Sequence, residues 1–459
     1  MEQIAKPHCG ARLDRLPDCR WHTSMFAMVA FGLLVCWSNA VGGLILAQLK
    51  ELGWTDNSTT ATFSAITTAG MFLGALGGGI IGDKTGRKNA FILYEAIHII
   101  SMIVGAFSPN MTFLIACRFV MGVGLGALLV TLFAGFTEYM PGRNRGTWSS
   151  RVSFIGNWSY PLCSLIAVGL TPLISAEWNW RVQLLIPAVL SLIATVIAWR
   201  SFPESPRWLE SRGRYQEAEQ VMQVIEEGVI RQTGKPLPPV VIDDDGKQPR
   251  SVPYSALLTG VLLKRVILGS FVLIAMNVVQ YTLINWLPTI FMTQGINLKD
   301  SIVLNTMSMF GAPFGIFIAM LVMDKIPRKT MGVGLLVLIA VLGYIYSLQT
   351  SMLLITLIGF FLITFVYMYV CYASAVYVPE IWPTEAKLRG SGLANAVGRI
   401  SGIAAPYAVA VLLSSYGVTG VFVLLGVVSI IVAVAIATIG IETKGVSVES
   451  LGIDAITSK

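Results

Sequence analysis

The chain has 459 residues, of which 55% are hydrophobic and 12% are charged, and its mean hydropathy is +0.71. An ordinary soluble domain carries about twice that share of charged residues, so the composition excludes a soluble enzyme. A membrane crossing takes about 20 apolar residues, and the chain is long enough for about twelve crossings and one larger polar insert. We therefore expect a polytopic membrane protein.

Apolar runs bounded by charged residues or by Gly, Pro and Asn predict twelve membrane-spanning helices. The first six are expected near residues 24–48, 61–82, 90–108, 111–137, 151–174 and 182–200. The second six are expected near residues 266–291, 301–323, 331–348, 352–377, 391–414 and 419–441. The predicted organisation is a tail, a six-helix half, a linker, a second six-helix half and a tail, at residues 1–23, 24–200, 201–265, 266–441 and 442–459.

The polar linker contains the acidic run Asp243–Asp245 and prolines at 236, 238, 239, 249 and 253, a composition typical of a mobile segment. Between Trp208 and Glu227, apolar residues recur at helical spacing, which predicts short helices along the membrane surface. Trp208 and Trp382 lie where spans meet the polar segments, and we expect them to be anchors in the membrane interface.

Lys and Arg residues are distributed unequally between the two sides of these spans. The loops and tails of one side hold 27 of them, the other side holds Lys50, Arg181 and Lys299, and two lie within spans. Positively charged loops stay in the cytoplasm, so both termini and the linker are predicted to be cytoplasmic. This topology accounts for the net charge of +7, and no nucleic-acid partner is expected. The six cysteines lie in spans or on that side and are expected to be free thiols.

Two loop motifs occur twice in the chain. The segment Asp83–Lys88 recurs as Asp324–Lys329, at an offset of 241 residues. The segment Glu138–Gly146 recurs as Glu380–Gly390, at an offset of 242 residues between the two glutamates. Because two independent motifs share one register, we infer that the chain consists of two related halves.

The segment Gly79–Lys88 resembles the signature loop of the major facilitator superfamily. Pro203–Leu209 after the sixth span and Glu442–Gly445 after the twelfth resemble the sugar-porter group of that superfamily and its organic-ion relatives. The resemblance extends over essentially the whole chain. It implies an all-α membrane protein whose twelve transmembrane helices form two pseudo-symmetric six-helix bundles, and a secondary transporter that moves a small polar metabolite by alternating access.

The resemblance also implies that charged residues of these loops form a cytoplasmic gate. Ion pairs at a partly wet surface are worth only about 0–1 kcal/mol each, so several together bias a two-state equilibrium without freezing it. The Lys and Arg residues could serve only to orient the chain in the membrane. The positive-inside rule gives the acidic residues no role, so they need another explanation. The expected gate residues are Asp83, Arg87, Glu138, Arg145, Glu204, Arg328, Glu380 and Arg389.

Ionisable residues inside spans are costly and are therefore candidates for function. Arg118 and Asn39 lie at similar depth and are expected to meet. In the proton-coupled sugar porters that this sequence resembles, the position of Asn39 is usually an Asp. That Asp pairs with an arginine at the position of Arg118. An amide cannot titrate, so a facilitator or exchanger becomes an alternative to a proton symporter. Glu95 is a second candidate for coupling, or else an interfacial carboxylate that pairs locally.

Arg399 lies eight residues into the predicted eleventh span, where a cation facing lipid would cost at least about 2.5 kcal/mol. A substrate carboxylate fits a guanidinium well, and this region resembles the eleventh span of organic-anion carriers, in which an arginine contacts the anion. A helix end or a water-filled cavity could also satisfy Arg399. The residue therefore favours an organic acid as the substrate, whereas the loop motifs favour a sugar or polyol.

Polar and aromatic residues in the fifth and seventh spans complete the expected substrate site. Asn277, Gln280 and Asn285 could bind polar substrate groups, although amides in membranes often join helices instead. Trp158 offers a flat ring that suits both sugars and aromatic acids.

The main alternative from another class is a membrane sensor that binds a metabolite and signals through the linker or the C-terminal tail. An enzyme is not expected, because one Glu and one His in all the spans leave too few catalytic groups or metal ligands. No cofactor and no metal site are predicted. We expect a monomer in a bacterial inner (plasma) membrane whose partners are the lipid bilayer, a small-molecule substrate and, in the symporter alternative, a proton.

Overall fold

The structure is a computed structural model that describes residues 7–17, 19–33, 36–140, 145–240, 253–323, 325–382 and 386–444. The predicted mobile run Asp243–Asp245 and the C-terminal tail beyond Lys444 lie outside the described residues. Asp324, the first residue of the second copy of the loop motif, also lies outside them.

The N-terminal half begins with the short helix α1 (Cys9–Asp14). Its spans are α2 (Arg20–Leu33) followed by α3 (Trp37–Glu51), then α4 (Asn57–Thr85), α5 (Arg87–Ala106), α6 (Met111–Tyr139), α7 (Arg145–Asn157) followed by α8 (Ser159–Leu170), and α9 (Ala176–Ser201). The linker contains α10 (Pro206–Ser211), α11 (Tyr215–Thr233) and α12 (Tyr254–Leu257). The first two of these confirm the short helices predicted between Trp208 and Glu227.

The C-terminal half repeats this arrangement. Its spans are α13 (Gly260–Thr293), α14 (Leu298–Met309) followed by α15 (Gly311–Val322), α16 (Arg328–Ser347), α17 (Met352–Cys371), which continues through the π-helical segment Tyr372–Tyr377 into α18 (Val378–Glu380), and α19 (Lys387–Ile439).

The described residues contain eleven helical stretches that are long and apolar enough to cross a membrane. The last of them, Arg389–Ile439, has 51 residues, which is more than twice the length of a single crossing. Gly417, with φ 65° and ψ −158°, breaks this stretch into two helices. Counting both, the chain has the predicted twelve spans, and the arrangement in two six-helix bundles is confirmed.

The fifth and eighth spans are each interrupted, at Trp158 and at Phe310. A proline follows each interruption by three residues, Pro161 in one span and Pro313 in the other. Proline has no N–H and its ring clashes with the carbonyl group four residues earlier, which kinks or breaks a helix at this position. The carbonyl groups concerned belong to the last residues of α7 and α14.

Helices that begin at one end of the bundles are capped differently from helices that begin at the other end. We call the end with the loop at Gly86, the segment 325–327 and helices α10–α12 the basic face, and the other end the opposite face. On the opposite face, α4 and α6 are each capped by the preceding residue: Asp56 accepts from Thr59 N at 2.7 Å and Asn110 accepts from Phe113 N at 2.9 Å. On the basic face, α5 and α16 have no such local side-chain cap.

Glycines allow helices α4 and α6 to pack with their backbones in contact. A Cβ atom added at Gly70 or Gly74 would overlap the carbonyl oxygens of Phe119 or Val123, and one added at Gly126 would overlap the Met71 carbonyl oxygen. The spacing of four residues between these glycines therefore allows the close contact of α4 with α6.

The two bundles meet along the middle of the molecule. Helix α3 crosses α13 so closely that a Cβ atom at Gly43 would lie 2.5 Å from the Ile284 carbonyl oxygen. Asn305 of α14 donates to the Ser164 hydroxyl of α8 at 3.1 Å. A substrate that moves between the bundles must therefore pass between helices α3 and α8 of one bundle and helices α13 and α14 of the other.

Candidate transport site and gate

On the basic face, charged residues of the N-terminal bundle form one cluster, which we call the N-terminal gate cluster (Asp83, Arg87, Glu138 and Glu204). Arg87 contacts Asp83 Oδ1 through Nη1 at 2.7 Å and Glu138 Oε1 through Nη2 at 2.8 Å. Glu204 Oε1 accepts from the backbone N of Arg87 at 2.7 Å and from that of Lys88 at 3.3 Å. Glu204 thus supplies the cap that α5 lacks, and its charge is placed favourably at a helix N-terminus.

The C-terminal bundle has an equivalent cluster, which we call the C-terminal gate cluster (Arg328, Glu380, Glu442 and Thr443). Arg328 binds both oxygens of Glu380, with Nε–Oε2 at 3.0 Å and Nη2–Oε1 at 3.1 Å. Glu442 accepts from the backbone N of Arg328 at 2.8 Å and from that of Lys329 at 3.1 Å. Thr443 donates its hydroxyl proton to Glu380 at 2.6 Å.

Six of the eight predicted gate residues therefore form two clusters, each within one bundle. Arg389 places its guanidinium 5.2 Å from the ring centre of Tyr254. The side chain of Arg145 lies outside the described residues. Sequence reasoning did not include Glu442 in this group, although the signal was present: Glu204 and Glu442 each follow the last span of their half.

The loop before α5 depends on glycine. Gly86 has φ 97°, and a Cβ atom added there would overlap the carboxylate of Glu204. The corresponding residue before α16 is Pro327, with φ −56°, a value that most residues adopt. The two clusters therefore reach the same capping geometry from different backbone conformations.

The linker covers the N-terminal gate cluster. Trp208 Nε1 donates to the Asp83 carbonyl oxygen at 2.7 Å, and Arg212 donates to the same oxygen. Trp208 and Trp382 are both buried, so the expectation that they anchor the membrane interface is wrong. Their burial follows from packing: Trp208 lies between the linker helices and the N-terminal tail, and a Cβ atom at Gly390 would overlap the ring of Trp382.

The N-terminal tail binds the linker through charges as well as apolar contacts. Arg12 and Arg15 of the tail donate to Glu226 of α11 at 2.8 and 2.7 Å, and Arg12 also pairs with Glu219. Partial burial would raise the pKa of the Glu226 carboxyl, but the hydrogen bonds and charges of the two arginines outweigh it and hold this pKa below its usual value. Helix α1 was not foreseen from the sequence.

Arg118 lies fully inside the N-terminal bundle. Its Nη1 donates to the Ser38 carbonyl oxygen at 2.8 Å, and its guanidinium lies 4.7 Å from the ring centre of Phe63. The predicted neighbour Asn39 follows Ser38 directly, so the structure brings Arg118 to the backbone beside it. A Cβ atom at Gly42 would lie 2.9 Å from Arg118 Nη2 and 3.4 Å from Asn285 Oδ1, which places Asn285 of the C-terminal bundle beside Arg118.

Glu95 and His98 form a second buried group in the same bundle. Their side chains are completely buried, and Glu95 Oε2 lies 3.6 Å from His98 Nδ1. His98 Nε2 and the Ser38 hydroxyl are 2.8 Å apart. Glu95 therefore pairs locally, as one of the predicted alternatives has it, but it is completely buried, and the pair is linked to Arg118 through Ser38. Sequence reasoning assigned no role to His98, the one histidine within the predicted spans.

The other predicted substrate residues occupy the centre of α13. Asn277 donates to the Leu273 carbonyl oxygen of its own helix at 2.7 Å and packs against Gly398 of α19. Gln280 is half-buried and lies beside the Tyr367 hydroxyl, near Tyr160. Gln280 is thus available to a substrate, whereas the amide of Asn277 already donates one hydrogen bond within its own helix.

Aromatic rings line the same region between the bundles. Tyr160 of α8 and Tyr367 of α17 contact each other edge to face, with ring centres 5.5 Å apart. Trp158, at the interruption of the fifth span, contacts Phe310 at the interruption of the eighth, with centres 6.3 Å apart. Trp158 therefore makes a contact between the bundles. Tyr160 and Tyr367, to which sequence reasoning gave no role, lie beside Gln280.

Arg399 lies near the middle of the crossing formed by the first part of α19. The residue is half-buried, and its Nη1 atom is completely buried without a hydrogen-bond partner among the described residues. One turn further on, Gly402 faces Tyr281 of α13 and Thr68 of α4. A buried guanidinium nitrogen without a partner is costly, so this position calls for an anion or an ordered water.

The profile of the Major Facilitator Superfamily matches residues 25–406. The chain belongs to this superfamily. It is 94% identical, over the full length of both chains, to the putative metabolite transport protein YdjK of Escherichia coli strain K12. It is 26% identical over 445 residues, 96% of this chain and 99% of the other, to the niacin transporter NiaP of Acinetobacter baylyi.

Solved structures agree with this assignment. The partially occluded, inward-open xylose transporter XylE of E. coli matches with a TM-score of 0.73 and 17% identity, covering 93% of this chain and 100% of that one. At this identity the likeness concerns the fold. As a member of the superfamily, the chain is a multi-pass membrane protein and a secondary transporter of a small metabolite, which moves between its two bundles by alternating access.

Proposed function

We propose that the transported metabolite is a small carboxylic acid, carried as its anion and bound by Arg399. The observation that carries this proposal is the buried Nη1 of Arg399, which has no hydrogen-bond partner within the part of the chain that the structure describes. A carboxylate would supply the missing acceptor, and a guanidinium binds a carboxylate through two parallel hydrogen bonds.

The surroundings of Arg399 favour a flat or aromatic acid. Tyr281 lies near Gly402, one turn from Arg399, and Tyr160 and Tyr367 lie beside Gln280, the residue before Tyr281. Such rings bury large apolar faces while their hydroxyl groups still bind polar substituents. The relative NiaP is named for niacin, a pyridine carboxylic acid, and this supports the same class of substrate.

A sugar is the second candidate, favoured by the loop motifs after the sixth and twelfth spans. Of the three amides that could bind sugar hydroxyl groups, Asn277 donates to its own helix and Asn285 lies beside Arg118 at the crossing of α3 and α13. Gln280 alone of the three lies with the tyrosines. This arrangement supports the acid over the sugar.

We infer that the basic face is cytoplasmic and that the protein resides in a bacterial inner membrane as a monomer. The 27 Lys and Arg residues of that side support this orientation. Both bundles come from one chain, so a single copy contains all the parts that alternating access requires. Transport is, in this proposal, the whole activity of the protein.

The substrate class is tested by thermal unfolding of the purified protein in detergent with nicotinate, benzoate, xylose and glucose. A ligand that binds only the folded state raises the midpoint, by an amount equivalent to about 2.7 kcal/mol at about 100 times its Kd. We expect a carboxylate to stabilise the wild type and Arg399→Gln to abolish the shift. Arg399→Lys, which keeps the charge but not the planar fork, should retain part of it.

The control is Arg231→Gln, which removes an exposed arginine of α11 and should leave the shift unchanged. Stabilisation by xylose or glucose that survives Arg399→Gln would contradict the proposal and favour the sugar.

A further inference from the structure

We propose that Glu95 and His98 bind the proton that is transported together with the substrate anion. This inference rests on the proposed function, because it explains how transport of an acid is driven. Neither carboxylate oxygen of Glu95, nor Nδ1 of His98, has a hydrogen-bond partner among the described residues, and both side chains are completely buried. A carboxylate without donors in such a place is strongly disfavoured, so the pair is suited to hold one proton between its facing atoms, 3.6 Å apart.

The surroundings contain few other groups that could take the proton. The Cys36 thiol lies directly before helix α3, and the Ser191 hydroxyl belongs to α9. Helix α6 contributes Arg118, beyond Ser38. The sequences of α4 between residues 57 and 82 and of α9 between residues 182 and 199 contain no ionisable residue. Glu95 is therefore the acid available to this buried site, and His98 its basic partner.

The pair is connected to the passage between the bundles. His98 contacts the Ser38 hydroxyl, and the Ser38 carbonyl oxygen accepts from Arg118. Arg118 in turn lies beside Asn285 of the other bundle at Gly42. A change of charge at Glu95 therefore acts on a buried cation at the crossing of α3 and α13, where low dielectric strengthens the interaction.

This arrangement couples the two ligands through charge. With Glu95 ionised, its negative charge offsets Arg118, and the bundle interior is close to neutral. When a proton binds Glu95, the positive charge of Arg118 is no longer offset, and the passage attracts an anion more strongly. A proton that enters with a monocarboxylate and leaves with it on the other side makes the transported pair neutral, so the membrane potential does not oppose it. Asn39, which cannot titrate, need not take part.

The direct test is infrared spectroscopy of the purified protein between about pH 5 and about pH 9, where a histidine–carboxylate pair titrates. We expect the carbonyl stretching band of a protonated carboxylic acid to disappear as the pH rises. Glu95→Gln should remove this band, and Glu227→Gln, which alters an exposed residue of α11, should leave it. If Glu95→Gln does not fold, His98→Gln should shift the midpoint of the band. A wild type without a titrating band, or a band that persists unchanged in the folded variants, would overturn the proposal.

The coupling role is then tested with the acid that stabilises the protein in the thermal assay. In liposomes, Glu95→Gln should still exchange this acid across the membrane but should no longer accumulate it in response to a pH gradient. Accumulation equal to that of the wild type would overturn the coupling role. The infrared titration needs no substrate, so failure of the proton site and failure of Arg399 as the anion site give different results.

Discussion

The two gate clusters are built on one plan from two halves of the chain. In each, an arginine begins the third span of its half, a glutamate at the end of the fourth span binds it, and a glutamate after the sixth span caps the helix that the arginine begins. The plan explains why the acidic residues belong to the repeated motifs. They hold together the third, fourth and sixth spans of each bundle, so the bundle moves as one body.

The clusters differ in how firmly they are held. The side chain of Arg328 is 7% exposed, binds both oxygens of Glu380 and also donates to the Met323 carbonyl oxygen. The side chain of Arg87 is 16% exposed and divides its bonds between Asp83 and Glu138, and the loop before it requires a positive φ at Gly86. The same plan therefore gives a tighter cluster in the C-terminal bundle and a more strained one in the N-terminal bundle.

The sharpest test of this difference compares Arg328→Ala with Arg87→Ala. Removing one partner of a buried ion pair costs about 3–5 kcal/mol, and Arg328→Ala should lie near the lower limit because Glu380 is partly exposed. Arg87→Ala should cost about half as much, because Asp83, one of its two partners, is largely exposed and stays hydrated. The free energy of unfolding in detergent measures both, with Arg231→Ala as a surface control. Equal losses would show that the clusters are equally firm.

The two loops are compared by Gly86→Ala and Pro327→Ala. Alanine at a positive φ costs of order 1–3 kcal/mol, and at Gly86 its methyl group would also displace the Glu204 carboxylate. Pro327→Ala keeps an ordinary backbone conformation and should cost about 0.4–1 kcal/mol, through the greater freedom of the unfolded chain. Thermal midpoints of the two variants decide the point. A Gly86 variant as stable as the Pro327 variant would mean that the strain is relieved elsewhere.

These features were accessible from the sequence to different degrees. The spans and the paired loops follow from hydropathy and from a repeat in one register, and the structure places Arg87 with Glu138 and Arg328 with Glu380. Pro161 and Pro313 were available in the sequence as signals of the interruptions at Trp158 and Phe310. A proline in a span predicts a bend only when its effect on the preceding turn is considered.

Other contacts could not be derived from one sequence. The approach of Asn285 to Arg118 depends on how one bundle docks on the other, and nothing in the local pattern of α13 encodes it. The link from Glu95 through His98 and Ser38 to Arg118 joins α5, α3 and α6, whose relative rotation is set by packing of the whole bundle. Hydropathy likewise missed α1, because a six-residue helix has no periodic pattern to detect.

A smaller effect distinguishes the helix caps. Partial burial would raise the pKa of the Glu442 carboxyl, but the backbone N–H groups of Arg328, Lys329 and Lys444 outweigh it and lower this pKa. A carboxyl with a lowered pKa contributes stability that is present above its unfolded value, about 4.3, and is lost as the pH falls through the folded value. Glu442→Gln should therefore cost about 1 kcal/mol at neutral pH and less in acid.

Unfolding measured at neutral pH and at about pH 4 checks this, with Glu227→Gln as the exposed control. A loss of the same size at both values would show that the Glu442 charge does not contribute to the cap.

The smallest expected effect concerns the N-terminal tail, which covers the linker above the N-terminal cluster and has no counterpart described above the C-terminal one. Arg12→Ala removes the bonds to Glu219 and Glu226 and should change global stability by only a few tenths of a kcal/mol, because the linker lies outside the bundles. Its local effect is larger. Burial, together with the Glu210 carboxylate, raises the pKa of the Cys9 thiol to about 12, so this thiol is protected while α1 is bound. Maleimide labelling at neutral pH, followed by peptide mass spectrometry, should show faster modification of Cys9 in Arg12→Ala than in the wild type. Unchanged labelling would mean that the tail stays bound without Arg12, through the apolar contacts of Cys9, Leu13 and Leu16 and the remaining pair of Arg15 with Glu226.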